Sequence, residues 1–403
     1  MNPFALLEPV LAALSEGPAI LPATGQAQEY LQQFDVDEYY DRIRTEDDKK
    51  ISEIMESPGG RLYIDVPPLG RSEKHVFRYF VDGSVRTFFL GTLVEHERNT
   101  PVLLAQLGAA AVRREDNGRV RVAPGSNRKR LVLLLSKSQV SDAIWNNALS
   151  ALQNASQAIP IDLVDTDADD PHNTSKSFGP NKEPRSRAAH KANWEMRLLE
   201  RDLLRDLLAE HDRSGAWIAV DGGLGKEFQE QSFDRGFVGV IKNFSKEQVF
   251  ELTSRGKTKR LSLFELLANL QVNQRTSAFA RGEGHVVFWY IRIREQRHLE
   301  YPLMGVMKIE YPNPSRSKVD SDCIDHLSRA LVAERCVTPH GKDRRWHAHL
   351  YPIYLAEQVV KNGFFSEEVL RAGIKWPSLV QKHGRRSRFV RRVTNDAASN
   401  NPQ

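Results

Sequence analysis

The chain is predicted to be mixed α/β, on three observations. Apolar runs at residues 76–81, 86–94, 101–114 and 130–137 are separated by short turns, which points to an antiparallel meander. A helical period over 192–211, with Met196, Leu199, Leu203 and Leu207 on one stripe, then leads into strand-like 216–220 and 236–242. Long strand-like stretches at 285–294 and 302–311 are interleaved with helical ones near 261–270, 320–335 and 355–362. Such interleaving makes a mixed sheet flanked by helices.

Residues 1–70 read as a polar N-terminal helical extension ending in Ser57-Pro58-Gly59-Gly60 and Pro67-Pro68-Leu69-Gly70. Its first residues carry Phe4, Leu7, Val10, Leu11 and Leu14 at helical spacing, a short amphipathic helix that packs on the protein or offers its apolar face to a partner. Residues 71–362 form the main domain. A stretch rich in Asp, Ser, Asn and Pro at about 162–190 interrupts it, and its composition predicts an exposed, mobile insertion. Residues 363–403 form a basic tail holding Lys382, Arg385, Arg386, Arg388, Arg391 and Arg392. That run is either a solvated end or a phosphate-contacting arm.

Of the 403 residues, 40% are hydrophobic and 27% charged, enough for a sizeable core in a soluble protein. No apolar run reaches the length of a bilayer span. Glu8, with no early Lys or Arg, excludes a secretory signal. Cys323 and Cys336 are too few for a disulfide framework and too far apart for a metal knuckle, so reduced thiols in the cytoplasm are expected. The net charge of +5 permits nucleic-acid binding without requiring it. There is no P-loop, Gly222-Gly223-Leu224-Gly225 does not fit a dinucleotide fingerprint, and no GxSxG elbow occurs.

Two Asp-Gly strands carry the chemistry. Asp82 and Asp221 follow apolar runs, where the edge of a buried sheet suits a carboxylate to holding a divalent cation; Asp-Gly is also ordinary turn chemistry. Between them, Glu200 lies beside the apolar stripe of the 192–211 helix, while Glu195 and Asp202 fall towards its polar face. A carboxylate on a core-facing stripe is costly unless paired or metal-bound, so Glu200 is the third candidate ligand. Oxygen donors of this kind suit Mn2+ or Mg2+ and phosphodiester chemistry. Lys242 follows a strand as the aspartates do and is placed to reach a phosphate, or is a surface lysine at a strand end. Arg292 and Lys308, cations on apolar strands, are candidates for a DNA groove; Tyr290 or its neighbour Trp289 is a candidate for base stacking.

An ordered series of motifs extends this reading. They are Val81-Asp82-Gly83-Ser84, Met196-Arg197-Leu198-Leu199-Glu200, Val220-Asp221-Gly222-Gly223, Val238-Gly239-Val240-Ile241-Lys242-Asn243, Trp289-Tyr290-Ile291-Arg292-Ile293, and Met307-Lys308-Ile309-Glu310-Tyr311-Pro312, with a late Tyr351-Pro352. In this order the chain resembles the NurA nuclease family over roughly residues 75–362. The resemblance implies an RNase H-like core, a manganese-dependent nuclease site with Asp82, Glu200 and Asp221 as ligands, a homodimer, and a HerA-like hexameric ATPase as partner. It also implies action on DNA, in end processing or anti-phage defence. Members of the family carry a histidine in the Tyr-Pro helix; here residues 351–358 have none, and His347 or His349 just upstream is the candidate to act in the site. Two alternatives stand beside a HerA-partnered nuclease: a catalytically inactive scaffold docked on the ATPase ring, and a stand-alone RNase H-like nuclease acting on RNA or a hybrid duplex.

Overall fold

The structure is a computed structural model that describes residues 4, 7–16, 19–22, 50–51, 53–58, 61–70, 72–155, 161–167, 184–225, 228, 236–254, 257–297, 300–337 and 345–376. Thirteen strands of these residues form one mixed sheet. In chain order they are β1 (Ala19–Pro22), β2 (Tyr63–Asp65), β3 (Phe77–Glu95), β4 (Arg98–Arg114), β5 (Val120–Val122), β6 (Arg128–Leu135), β7 (Ile161–Asp165), β8 (Trp217–Asp221), β9 (Phe237–Ile241), β10 (Gln274–Thr276), β11 (Phe279–Arg281), β12 (Val286–Arg292) and β13 (Val306–Pro312). The helices are α1 (Leu7–Leu14), α2 (Asp142–Ala155), α3 (Pro184–Ser214), α4 (Leu263–Ala268), α5 (Ser321–Ala333), α6 (Tyr351–Lys361) and α7 (Glu367–Gly373).

Across the sheet the order is β2-β10-β12-β13-β9-β8-β3-β4-β6-β7, with β1 on β3, β5 on β4 and β11 on β12. β3, β4 and β6 make the expected antiparallel meander. The chain then crosses by way of β7 and α3 and returns to lay β8 parallel to β3 and β9 parallel to β8. The last long strands, β12 and β13, extend the sheet antiparallel beyond β9.

Both faces of the centre are covered. On one, α3 packs Leu203, Leu204 and Leu208 against Tyr79, Val81, Ile218 and Val220. On the other, α5 and α6 pack Ile324, Leu327, Leu331, Ile353 and Ala356 against Phe80, Ala219, Val240 and Ile309. The period of 2 along β3 and β8 thus splits their residues between two helical layers. β3 departs from the turn expected at Asp82-Gly83: the ladder runs unbroken, with Asp82 opposite Ala110 and Gly83 opposite Ala109. The long antiparallel ladder with β4 overrides the turn preference of that dipeptide.

The ends of the chain also differ from expectation. The described part of residues 1–70 holds one helix and several short strands, because Lys50–Ile51, Glu56–Ser57 and β2 complete sheet edges supplied by later segments. Within 162–190, residues up to 165 lie in β7, paired parallel with β6, and 184–190 open α3; residues 168–183 lie outside the described residues. The tail contributes α7, whose Leu370 is buried, and its basic run lies outside the described residues. No helix of the described residues is long and apolar enough to cross a membrane.

The apolar face of α1 is not offered to a partner. Leu7, Val10, Leu11 and Leu14 are buried in one cluster with Ile144, Ala148 and Leu152 of α2 and with Leu133 and Leu135 of β6. Leu11→Ala is expected to lower unfolding free energy by about 2–4 kcal/mol, measured by urea denaturation, because it opens a cavity in a closed cluster. An unchanged midpoint would show that α1 detaches in solution.

Candidate functional site

The register of β8 on β3 builds the site. Val220 pairs with Val81, so the next residue on each strand brings Asp221 beside Asp82. Alternation directs both away from α3, as it does Phe80 and Ala219. Asp82 is 3% exposed, and its Oδ2 accepts no hydrogen bond among the described residues. Burial, then the neighbouring Asp221, pushes its carboxyl well above the usual aspartate range; Lys242 opposes, while Glu357 and Glu200 push the same way.

Glu200 stands on α3, across the sheet from the two aspartates, where glycine lets the helix close on β3. A Cβ on Gly83 would lie 2.7 Å from Glu200 Oε1 and 2.1 Å from Met196 Sδ. α6 approaches from the other face in the same way, over Gly108, where a Cβ would lie 2.5 Å from Val360 Cγ1. It carries Glu357, which ion-pairs with Lys361 at 2.6 Å while facing Asp82's field. Lys242 leaves the end of β9 with its Nζ 2.8 Å from Asp221 Oδ1, buried with it.

The turn after Asp221 is clamped from both layers. Arg197 of α3 donates to Gly223 O at 2.6 Å. On the other side Glu310 of β13 accepts the Leu224 N–H at 2.7 Å, and Arg281 of β11 donates both to Leu224 O at 2.7 Å and to Glu310 at 3.0 Å. Charge-assisted bonds of this kind fix Asp221 at the strand end.

As hard oxygen donors, Asp82, Glu200, Asp221 and Glu357 suit Mg2+ or Mn2+, and the orphaned Asp82 oxygen is a buried acceptor of the type such an ion satisfies. The fit is incomplete: among the described residues no three carboxylate, imidazole or thiol groups stand close enough to hold an ion between them. Lys242 holds Asp221, and an entering ion competes with it.

Of the residues read from the sequence, Asp82, Asp221 and Lys242 are thus brought together, with Glu200 behind Gly83 on the other face. Glu195 ion-pairs with Arg130 of β6 at 2.8 Å, tying α3 to the sheet, whereas Asp202 pairs at 3.0 Å with Arg201 of the same helix. Arg292, Lys308 and Tyr290 are corrections: all three are buried and line no groove. Arg292 donates to the carbonyls of Leu267, Leu270, Pro302 and Met304. Lys308 lies 3.2 Å from Glu310 and over the Phe288 ring. Tyr290 donates to Gln248 at 2.9 Å among Phe244, Phe250 and Phe288, and Trp289 donates to Ser328 on the opposite face. β12 lies between β10 and β13 with both faces covered, so a cation there is part of an internal network. His347 accepts the Gly305 N–H at 3.1 Å, and His349 is buried just before α6, edge-on to Tyr354.

Glu357 was missed by sequence reasoning, although the signal was present. It lies four residues after Ile353 and three before Val360, both buried, as Glu200 lies beside its own stripe.

Because burial and the neighbouring Asp221 raise the Asp82 carboxyl in the fold, its contribution is fully favourable below about pH 4 and is lost as pH rises through its raised value. In EDTA, Asp82→Asn is therefore expected to match wild type near pH 4 and to exceed it at pH 8 by on the order of 1 kcal/mol, the scale of one unsatisfied buried acceptor. Thermal melts across this range check it; a variant less stable at pH 8 would refute the upward shift.

No family model matches the chain, and no curated protein matches it at a significant level.

Proposed function

We propose that the chain is a metal-dependent nuclease hydrolysing phosphodiester bonds of DNA at the Asp82–Asp221 site. The observation that carries this is the parallel register that sets Asp82 beside Asp221, with Glu357 of α6 on the same face and an Asp82 oxygen that has no hydrogen-bond partner among the described residues. Burying neighbouring carboxylates in a low dielectric is costly, and a bound cation would offset that cost. The strand order β6-β4-β3-β8-β9, a meander followed by a helix and two parallel strands, supports the RNase H-like reading.

Asp82, Asp221, Glu200 and Glu357 would hold Mn2+ or Mg2+, which supplies activation of water and neutralises charge building on the phosphate. Lys242, whose Nζ lies 2.8 Å from Asp221, would present an ammonium to the phosphate oxygens. Gly83 and the clamp on residues 222–224 keep Glu200 and Asp221 in position, so that little reorganisation is left to substrate binding. The motif order shared with NurA nucleases extends the proposal to a homodimer working with a HerA-like ATPase, in end processing or defence. The incomplete ion cage favours one other reading, an inactive scaffold on the ATPase ring.

Cleavage of linear and single-stranded DNA with Mn2+, Mg2+ or EDTA separates them. Asp82→Ala and Asp221→Ala are expected to lower metal-dependent cleavage about a thousandfold or more, as for groups that act as a unit. Cutting that survives both substitutions places the active site elsewhere; no cutting by wild type, with ATPase binding intact, favours the scaffold.

Gly83→Ala tests the helix contact separately. Met196 and Glu200 yield by their flexible ends, so the fold should lose only about 1 kcal/mol. Cleavage should fall at least about tenfold, the rate equivalent of 1.4 kcal/mol at the transition state. Equal activity with an altered melting point would show that Glu200 is not part of the site.

A further inference from the structure

A cleft of about 1730 Å³ opens at the end of β8 opposite Asp221, where β3 and β8 begin and β4 ends. Its walls carry seven Lys or Arg side chains against four carboxylates, an excess of positive charge in a concave space. The acids are already engaged: Asp116 with Arg78 at 2.6 Å, Glu73 with Arg329 at 2.8 Å, Glu115 with Arg121, and the buried Glu334 with Arg114 and His75. Arg113, Arg119 and Lys74 make no ion pair among the described residues. Arg121 lies 3.6 Å from Glu115 and is 62% exposed. Tyr351 stands half exposed on the same wall, an aromatic face beside the cations.

The cleft and the carboxylates are joined by two rigid elements. α6 begins in the cleft with Tyr351 and brings Glu357 to Asp82 six residues later, about 9 Å along the axis at 1.5 Å per residue. β8 begins at the cleft with Trp217 and ends at Asp221, about 13 Å away at 3.3 Å per residue. Arginines that track phosphates beside an aromatic ring that stacks a base are the means by which single strands are held without sequence preference.

The geometry points to the cleft between Arg113, Arg121 and Tyr351 as a seat for a single nucleic-acid strand. This rests on the nuclease reading for what happens to the strand, and on the cleft alone for binding.

The experiment is fluorescence anisotropy of a labelled oligo-dT with the full chain in EDTA, so that no cleavage intervenes. Binding is expected to weaken with salt. The double reversal Arg113→Glu and Arg121→Glu should weaken it at least about tenfold, and Tyr351→Ala about fivefold or more. Melting curves confirm that the variants fold; Lys74→Glu, on an exposed side chain of the cleft rim, provides a second reversal. Wild-type binding that both reversals leave unchanged overturns the proposal, as does an absence of binding. Full displacement by millimolar inorganic phosphate would make the cleft a phosphate site, and equal retention of polyglutamate would assign it to acidic protein segments; either result overturns the strand seat. Cleft-dependent binding by a wild type that never cuts leaves the strand seat standing and removes the nuclease. Metal-dependent cutting with binding unmoved by the reversals does the opposite.

Discussion

Everything in the centre of this molecule follows from β3 and β8 running side by side in the same direction. Parallel register places Asp82 and Asp221 as neighbours on one face, away from bulk water, where two carboxylates repel strongly. Their surroundings answer that repulsion in two ways. The Asp82 carboxyl is pushed well above the usual aspartate range, and Asp221 takes the ammonium of Lys242. Neither answer uses the Oδ2 of Asp82, which leaves a charge-accepting vertex at the middle of the sheet.

The layers around this pair are arranged to hold it. Small residues at Gly83 and Gly108 let a helix sit close on each face, and each helix delivers one more carboxylate. The turn after Asp221 is held from α3 by Arg197 and from the outer sheet by Glu310 and Arg281. Buried cations that the strand pattern marks out, such as Arg292, do a different task. Arg292 gathers four carbonyls from the end of α4 and the loop before β13, and so ties the outer strands to the layer above them.

Much of this was legible in the sequence. The meander and the interleaving of strands and helices follow from periodicity, and Asp82, Asp221 and Lys242 stand out as polar residues closing apolar runs. What was not legible depends on tertiary pairing. Asp82-Gly83 reads locally as a turn, yet pairing with Ala110 and Ala109 of β4 holds it in a continuous strand. Tyr290 on β12 and Lys308 on β13 are enclosed because each strand has a neighbour on both edges. Short edge strands such as Tyr63–Asp65 have no period of their own, because their partner lies far along the chain. Glu357 follows from the same stripe argument as Glu200.

The spacing of the four carboxylates along the chain also sets when they can meet. Asp82 belongs to a hairpin that closes locally, whereas Glu200, Asp221 and Glu357 arrive only after long loops have closed, each at an entropic cost that grows with the logarithm of loop length. During synthesis the meander can form first, with Asp82 solvated and ionised like any surface aspartate. Burial and the arrival of Asp221 raise its carboxyl as β8 and the two helices dock, so assembly of the centre is linked to pH. A partly made chain therefore has the sheet without the site, and completion of the fold is itself the step that arms it.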